Sequence, residues 1–545
     1  MKTRKFRAPD FTFVFVFLSQ FGLLGLMMRL DPDPHHDGIL YGAAVNVSNN
    51  GFPNRDAFAQ YGPLVPELQG LWLRLFGPSL FNLRLQALFV MVLASICIWH
   101  VARFYVPKKI AYLISSCWAL TIPSVLPWPT AYSTLIAILS LLLAVDLKNN
   151  SLHSNRFRIL AASSLIAVGT FGRIHLIAIF LLVLLYLGLA PDQRSKIKDW
   201  VAGFMSTLLT ILLFLHLNGA LGDFFTQCIS WPLLHYGTPD FNKSYIIGLF
   251  WYPVIAISFL ILFLFSWWLK SKSVPKIVTF ALPIFIFVSL FVTSRIERTG
   301  YLSLRNPRVA IIDYSKNMMS SLVYTAAFLM VIATIFLLFK TKKVKSGVAV
   351  STLYSTGILA QLYPLYDVNH LWLIAPLLII SSFVVFGDSF LFINFFKPNV
   401  LNVLSGLLVV LALQIWSTTS IPRVAFESPS LRGMLAPAAF ANQLDATMLK
   451  LQVFVEPNST SFDCVNGIYS GAGGNYLSSS RQFVSWGPYA ALVKLGDNMF
   501  LCAVTNTTID QYIDTGYRVV FKDPLTLFGE SHSRGYWNVL LTKSP

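Results

Sequence analysis

The sequence predicts an α-helical, multi-pass membrane protein that carries a small α/β domain at its C-terminal end. Of its 545 residues, 55% are hydrophobic and only 12% charged, with mean hydropathy +0.63. A soluble globular chain carries roughly 25% charged residues. Apolar runs near the roughly 20 residues that cross a bilayer recur from Phe11 to residue 417. Beyond residue 417 charges of both signs intersperse, Gly and Ser increase, and strand-like runs appear at Leu451–Val455, Phe500–Val504 and Arg518–Phe521. Domains are therefore expected at 1–417, in the membrane, and 418–545, folded outside it.

The formal net charge of +17 would suggest nucleic acid in a soluble protein. Here Lys and Arg fall mostly in short turns between apolar runs, which is topology signalling. No nucleic-acid partner is expected.

The N-terminus, M-K-T-R-K-F-R, is basic, and the run Phe11 to Leu30 behind it is too long for a signal peptide and lacks a small-residue cleavage site, so it reads as an uncleaved first span. Further spans are expected at 85–105, 110–126, 131–147, 158–172, 174–190, 200–218, 246–268, 276–294, 320–339, 347–365, 371–390 and 399–417, about 13 in all. With the N-terminus cytoplasmic, the inside turns hold Lys108 and Lys109; Lys148, Arg156 and Arg158; Arg194, Lys196 and Lys198; Lys270, Lys272 and Lys276; Lys340 to Lys345; and Lys397. Every inside turn is basic, as membrane insertion requires. The long segments 31–84, 219–245, 295–319 and 418–545 then share the outer side, with short outer turns at Pro127–Pro129, Arg173 and Asp367–His370.

Within the first outer loop, Leu64 to Phe81 places apolar residues at helical spacing between prolines, and reads as an amphipathic helix lying in the interface. Asp31, Asp33, His35, His36 and Asp37 crowd together directly after the first span, where carboxylates and imidazoles are costly outside a wet functional cavity. Four sequon matches, beginning at Asn46, Asn242, Asn458 and Asn506, all fall on the outer side. Of five cysteines, Cys97, Cys117 and Cys228 lie in or beside spans, whereas Cys464 and Cys502 share the last domain, where a disulfide between them suits an extracytoplasmic setting.

The run H-D-G-I-L-Y-G-A-A, then Gly51-Phe52, then Q-Y-G-P-L, then L-F-G-P-S-L-F-N-L-R resembles the first outer loop of the GT-C glycosyltransferases. It is similar in particular to the branch of protein mannosyltransferases and lipid A aminoarabinose transferases. The resemblance covers residues 30–90. It implies a multi-span enzyme that moves a sugar from a polyprenyl phosphate to a glycan, lipid or protein acceptor outside the cytoplasm, in a plasma or inner membrane. By position, Asp37 matches the family's leading acidic residue and Tyr41 a tyrosine that often follows it. Where the family frequently has Asp-Glu, this chain has Asp37-Gly38.

A sugar on a lipid phosphate already has an anionic leaving group, so the enzyme needs a base for the acceptor hydroxyl and cations for the phosphate. Asp37 is the candidate general base; the competing reading is a cap on the helix that follows it. Asp33, His35, His36, Tyr41, Tyr61 and His370 are candidate substrate- or donor-binding residues, with acceptor binding or proton transfer open to His35 and His36 and a capped turn open to His370, and Asp31, Asp33 and Asp37 are the candidate ligands should a divalent cation (Mg or Mn) take part, although their spacing matches no standard cage. Arg295, Arg298, Arg305 and Arg308 gather where positive-inside topology does not explain them, and arginine suits phosphate because its fork donates two hydrogen bonds. They could bind the donor phosphate, anionic headgroups or acidic partners within the fold. Arg173, between two apolar runs, is a second phosphate candidate or a snorkelling side chain.

Two rival functions stand beside this one. A ligase that moves a preassembled glycan from a lipid pyrophosphate would differ in its donor. A transporter or flippase of lipid-linked sugars would line a path through the spans with charge, for which only Arg173, His175, Asp388, His100 and His216 are available.

Overall fold

The structure is a computed structural model and describes residues 12–32, 36–57, 59–121, 125–230, 232–233, 344–362, 368–386, 422–454, 460–463, 475–476, 498–504, 506–524 and 537–543. The described chain is mostly helical. Its first part runs α1 (Thr12–Met28), α2 (His36–Ser48), α3 (Leu64–Phe76), α4 (Leu80–Ala102), α5 (Lys108–Thr121), α6 (Pro129–Ala144), α7 (Arg156–Thr170), α8 (Ile177–Leu189), α9 (Ile197–Leu217) and the short α10 (Leu221–Phe225). It resumes with α11 (Ser346–Ile358) and α12 (Val368–Phe386).

Each expected span that falls on described residues meets one of these helices. The expected spans 246–268, 276–294, 320–339 and 399–417 lie outside the described residues. Among the described residues, Leu80–Ala102 and Arg194–Leu217 are long and apolar enough to cross a bilayer unaided, while Thr12–Gly25, Pro129–Ala144, Ile174–Leu189 and His370–Val385 are apolar but shorter. Two expected spans change winding near one end. The 174–190 run opens with the 3-10 turn Ile174–Leu176, and the 347–365 run leaves α11 through the 3-10 turn Leu359–Leu362.

Close packing uses glycine where backbones meet. A Cβ at Gly203 on α9 would overlap the Leu160 carbonyl and Ser163 of α7, and small residues of this kind let membrane helices approach. Exposed leucines run at four-residue spacing along the outside of the bundle, Leu181, Leu185 and Leu189 on α8 and Leu209, Leu213 and Leu217 on α9. Such stripes suit lipid rather than water.

The connections sort to two ends. At one end, β1 (Val145–Asp146) and β2 (Ser151–Leu152) form a hairpin. Lys196 Nζ donates to Leu152 O at 3.1 Å, Tyr105 Oη to Asn150 Oδ1 at 2.9 Å, and Gly347 N to Asn150 O at 3.0 Å. These are the expected inside turns, and they meet one another. At the other end the first loop reaches the expected outer turns. Leu64 N donates to Phe171 O at 3.1 Å, and Asn54 Nδ2 to Gln227 Oε1 at 3.0 Å. Loops that the charge pattern assigns to one side thus touch one another.

The C-terminal region begins with β3 (Arg423–Ala425) paired antiparallel to β4 (Leu435–Pro437), then α13 (Ala438–Phe454). β5 (Thr460–Asp463), β6 (Asn475–Tyr476), β7 (Asn498–Val504), α14 (Asn506–Asp514), β8 (Tyr517–Pro524) and β9 (Trp537–Lys543) complete it, with a sheet in the order β6-β5-β7-β9-β8. The expected strands at Phe500–Val504 and Arg518–Phe521 lie within β7 and β8. The strand expected at Leu451–Val455 is instead, over Leu451–Phe454, the end of α13. Leu444, Met448 and Leu451 continue one buried stripe at helical spacing, and that stripe outweighs the local β-propensity.

Candidate functional site

Asp37 lies in the first turn of α2, where the helix dipole favours a carboxylate. Its partner comes from α4. Ser79 caps that helix by accepting from Asn82 N at 3.2 Å, and Arg84 follows just inside. Both side chains are fully buried. Arg84 Nε donates to Asp37 Oδ1 at 3.1 Å and Nη2 to Oδ2 at 2.5 Å. Nη1 donates to Met28 O (3.1 Å) and Leu30 O (2.7 Å), and Nη2 also to Asp31 O (3.1 Å). A guanidinium has five N–H donors, and all five are engaged. Arg84 therefore closes the carbonyl end of α1 while holding both oxygens of Asp37.

The C-terminal region seals this corner. Asp31, at φ 47°, donates its N–H to Leu435 O at 2.8 Å, and Leu435 N donates to Arg29 O at 2.8 Å. The Asp31 carboxylate accepts from Arg423 Nε at 2.9 Å and Nη2 at 2.7 Å. Arg29 Nε donates to Gly433 O at 2.8 Å. Tyr41 is buried beside Leu80, Leu83, Phe426 and Met434, and its hydroxyl donates to Pro78 O at 2.8 Å. Burial pushes that hydroxyl above its ordinary pKa.

A second polar centre forms around Arg173, which is 2% exposed. Its Nη1 donates to Thr130 Oγ1 on α6, its Nη2 to Gln361 O at 2.7 Å, and its guanidinium carbon stands 5.0 Å from the centre of the Tyr61 ring. Tyr61 meets Trp128 edge-on at 5.3 Å, and Trp128 Nε1 donates to His370 Nε2 at 2.9 Å. An indole N–H only donates, so His370 accepts at Nε2. His175 stands close to both Arg173 and His370. Four distant segments thus bring Tyr61, Arg173 and His370 together.

Glutamines link the helices of the two centres. Gln86, on α4 near Arg84, donates to Leu68 O at 2.9 Å and accepts from Tyr132 Oη at 2.9 Å. Gln69 on α3 donates to Pro127 O at 2.7 Å.

Asp33, His35, Arg295, Arg298, Arg305, Arg308 and Cys464 lie outside the described residues, and the side chains of His36 and Cys502 are not described. Asp31 and Asp37 each turn both carboxylate oxygens to an arginine, Asp31 to Arg423 and Asp37 to Arg84. Among the described residues no group of three His, Cys, Asp or Glu side chains converges. The Asn46 amide, within α2, donates to Asp56 O at 3.2 Å.

Sequence reasoning missed Arg84, Thr130, Trp128 and Gln361. The signal for Arg84 was present, an arginine opening a long apolar run, which is expensive unless it has a built partner. Thr130 and Gln361 carry no such signal, since polar uncharged residues are ordinary in spans.

No family model matches the chain, and no curated protein does. Among solved structures, ArnT from Cupriavidus metallidurans bound to undecaprenyl phosphate is similar at 11% identity, over 97% of each chain, with TM-score 0.47. The Archaeoglobus fulgidus oligosaccharyltransferase in complex with Zn and sulfate is similar at 11% identity, over 90% of this chain and 67% of that one, with TM-score 0.45. AglB from the same organism, in complex with an inhibitory peptide and a dolichol-phosphate, is similar at 10% identity, over 90% and 69%, with TM-score 0.41. These proteins are GT-C glycosyltransferases, the family whose first outer loop residues 30–90 resemble, and the overlap is too loose to carry any residue's role from those chains to this one.

Proposed function

We propose that this chain is a membrane glycosyltransferase that moves a sugar from a polyprenyl phosphate to an acceptor hydroxyl at the end of the bundle where residues 31–84 lie. The reading is supported by two features at that end, a buried acidic residue on the loop motif and a polar centre drawn from the first loop and three further turns. The donor belongs to the lipid class held by the solved ArnT and AglB. That end is assigned to the outer face, with the N-terminus cytoplasmic and residues 418–545 extracytoplasmic.

In this mechanism the acceptor oxygen attacks the anomeric carbon while its proton passes to Asp37. The bond from that carbon to the phosphate oxygen breaks, and its electron pair leaves with the phosphate. Arg84 keeps Asp37 charged and fixed in direction. Each carboxylate oxygen has a second lone pair beyond the one facing Arg84, and the proton goes to one of these. Arg84 has no donor left for the phosphate. That role falls to Arg295, Arg298, Arg305 or Arg308, with Arg173 bracing the wall of the site.

Native mass spectrometry of the detergent-purified protein tests the donor. A retained polyprenyl phosphate, bare or glycosylated, is expected. A lipid pyrophosphate glycan would assign the chain to the ligases, and transfer-inactive protein that retains only bulk phospholipid would refute the donor assignment.

A further inference from the structure

Gln361 is fully buried, yet neither its Nε2 nor its Oε1 has a hydrogen-bond partner among the described residues. Ser133 Oγ and Thr134 Oγ1, both buried on α6, are likewise without partners. The Gln361 backbone and the hydroxyl-bearing face of α6 meet at one arginine. Arg173 bridges Thr130 to the backbone carbonyl of Gln361, and Thr130, Ser133 and Thr134 share one face of α6 by helical spacing. A Cβ at Gly172 would stand 2.9 Å from Ser133 Oγ, so the turn that carries Arg173 lies directly against that hydroxyl.

Buried polar groups without partners are a standing cost to folding, and here several collect around one braced arginine. The donor and acceptor inventory indicates what would satisfy them. A phosphate only accepts, so it would answer Nε2 and the hydroxyls but leave Oε1 orphaned. A cation would answer Oε1 and leave Nε2. A hydroxylated ring offers both, since adjacent sugar hydroxyls can donate to Oε1 and accept from Nε2 of one amide.

We infer that Gln361, with Ser133 and Thr134, binds the sugar ring of the donor, a site that rests on the glycosyltransferase reading above. Gln361 then contributes to sugar recognition, and the phosphate is held elsewhere.

The test uses Gln361→Leu, which removes the amide and keeps the carbonyl that Arg173 uses, with Thr134→Val as a second, near-isosteric variant. Thermal stability in detergent is measured alone, with a bare polyprenyl phosphate, and with the same lipid carrying glucose, mannose, galactose or arabinose. The expected result is an unchanged or higher Tm for the lipid-free variants, undiminished stabilisation by the bare lipid, and at least tenfold weaker binding of the glycosylated lipid that wild type prefers. A lower Tm for both lipid-free variants would overturn the inference, because the groups would then already be satisfied within the fold or by buried water. Equal binding of glycosylated and bare lipid by wild type would overturn it too. Wild type that binds neither lipid would refute the donor reading itself, and this inference with it.

Discussion

Arg84 gives two of its five N–H groups to Asp37 and three to the carbonyls of Met28, Leu30 and Asp31. The candidate base is thus also the counter-ion of a buried arginine. Removing one partner of such a pair leaves an uncompensated buried charge, at about 3–5 kcal/mol. Asp37→Asn is therefore expected to lose both stability and transfer. In the double variant Asp37→Asn with Arg84→Gln, part of the stability returns while transfer stays absent. Denaturant unfolding and turnover per folded molecule measure the two effects. Recovered turnover in the double variant would leave Asp37 with only its structural role.

Arg173 ties the Thr130 hydroxyl, the Gln361 carbonyl and the Tyr61 ring into one corner. Lysine keeps the charge but lacks the planar fork, so Arg173→Lys is expected to cost about 2–3 kcal/mol from the lost charged hydrogen bonds. A side chain that only snorkelled would tolerate the change. The shift in thermal midpoint decides between them.

The Asp31–Arg423 pair joins the first loop to the C-terminal region, with the Asp31 side chain 52% exposed. The Arg423 side chain is only 8% exposed, but the open carboxylate keeps the pair screened, so it contributes about 1 kcal/mol and weakens with salt. Arg423→Gln should therefore shift the midpoint slightly at low salt and hardly at all at high salt. A large, salt-independent loss would show that Arg423 acts through packing.

Asp56 accepts from the Arg55 guanidinium and from Phe52 N at 2.7 Å. The Arg55 hydrogen bond is the main cause that holds its pKa below the ordinary carboxylate value. The sign follows from that depression. The stabilisation is fully present above the unfolded pKa of about 3.9 and disappears as pH falls through the lower folded value. Exchange of the Phe52 amide should accelerate relative to neighbouring amides in that acid window, and Asp56→Asn should remove the dependence.

Parallel β5 and β7 pair Asp463 with Leu501, one residue short of Cys464 and Cys502. A disulfide there predicts that neither thiol labels until reductant is added. Immediate labelling of both would exclude the bond.

The helices were legible because roughly 20-residue apolar runs leave few alternatives, and basic turns ordered them before any contact was known. Tyr61, Arg173 and His370 were each legible as outer-end polar residues, and the fold unites them. The Asp37–Arg84 pair was legible only in halves, because Asp37 carried a motif whereas Arg84 stood unremarked as the last residue of L-F-N-L-R. Pairing between residues 47 positions apart depends on how α1, α2 and α4 cross, which no local pattern encodes. The end of α13 was misread because Leu451–Val455 in isolation suits a strand; the buried positions four and three residues apart that decide it begin earlier.

The backbone exchange between Leu435 and the Arg29–Asp31 segment sets an order on biogenesis. α1, Asp37 and Arg84 emerge early from the ribosome, yet the strand that closes their edge is made about 400 residues later in sequence, as the Arg29–Gly433 contact at a separation of 404 shows. During most of translation that edge must wait unpaired, so the Asp37–Arg84 corner is closed only once synthesis has passed Leu435.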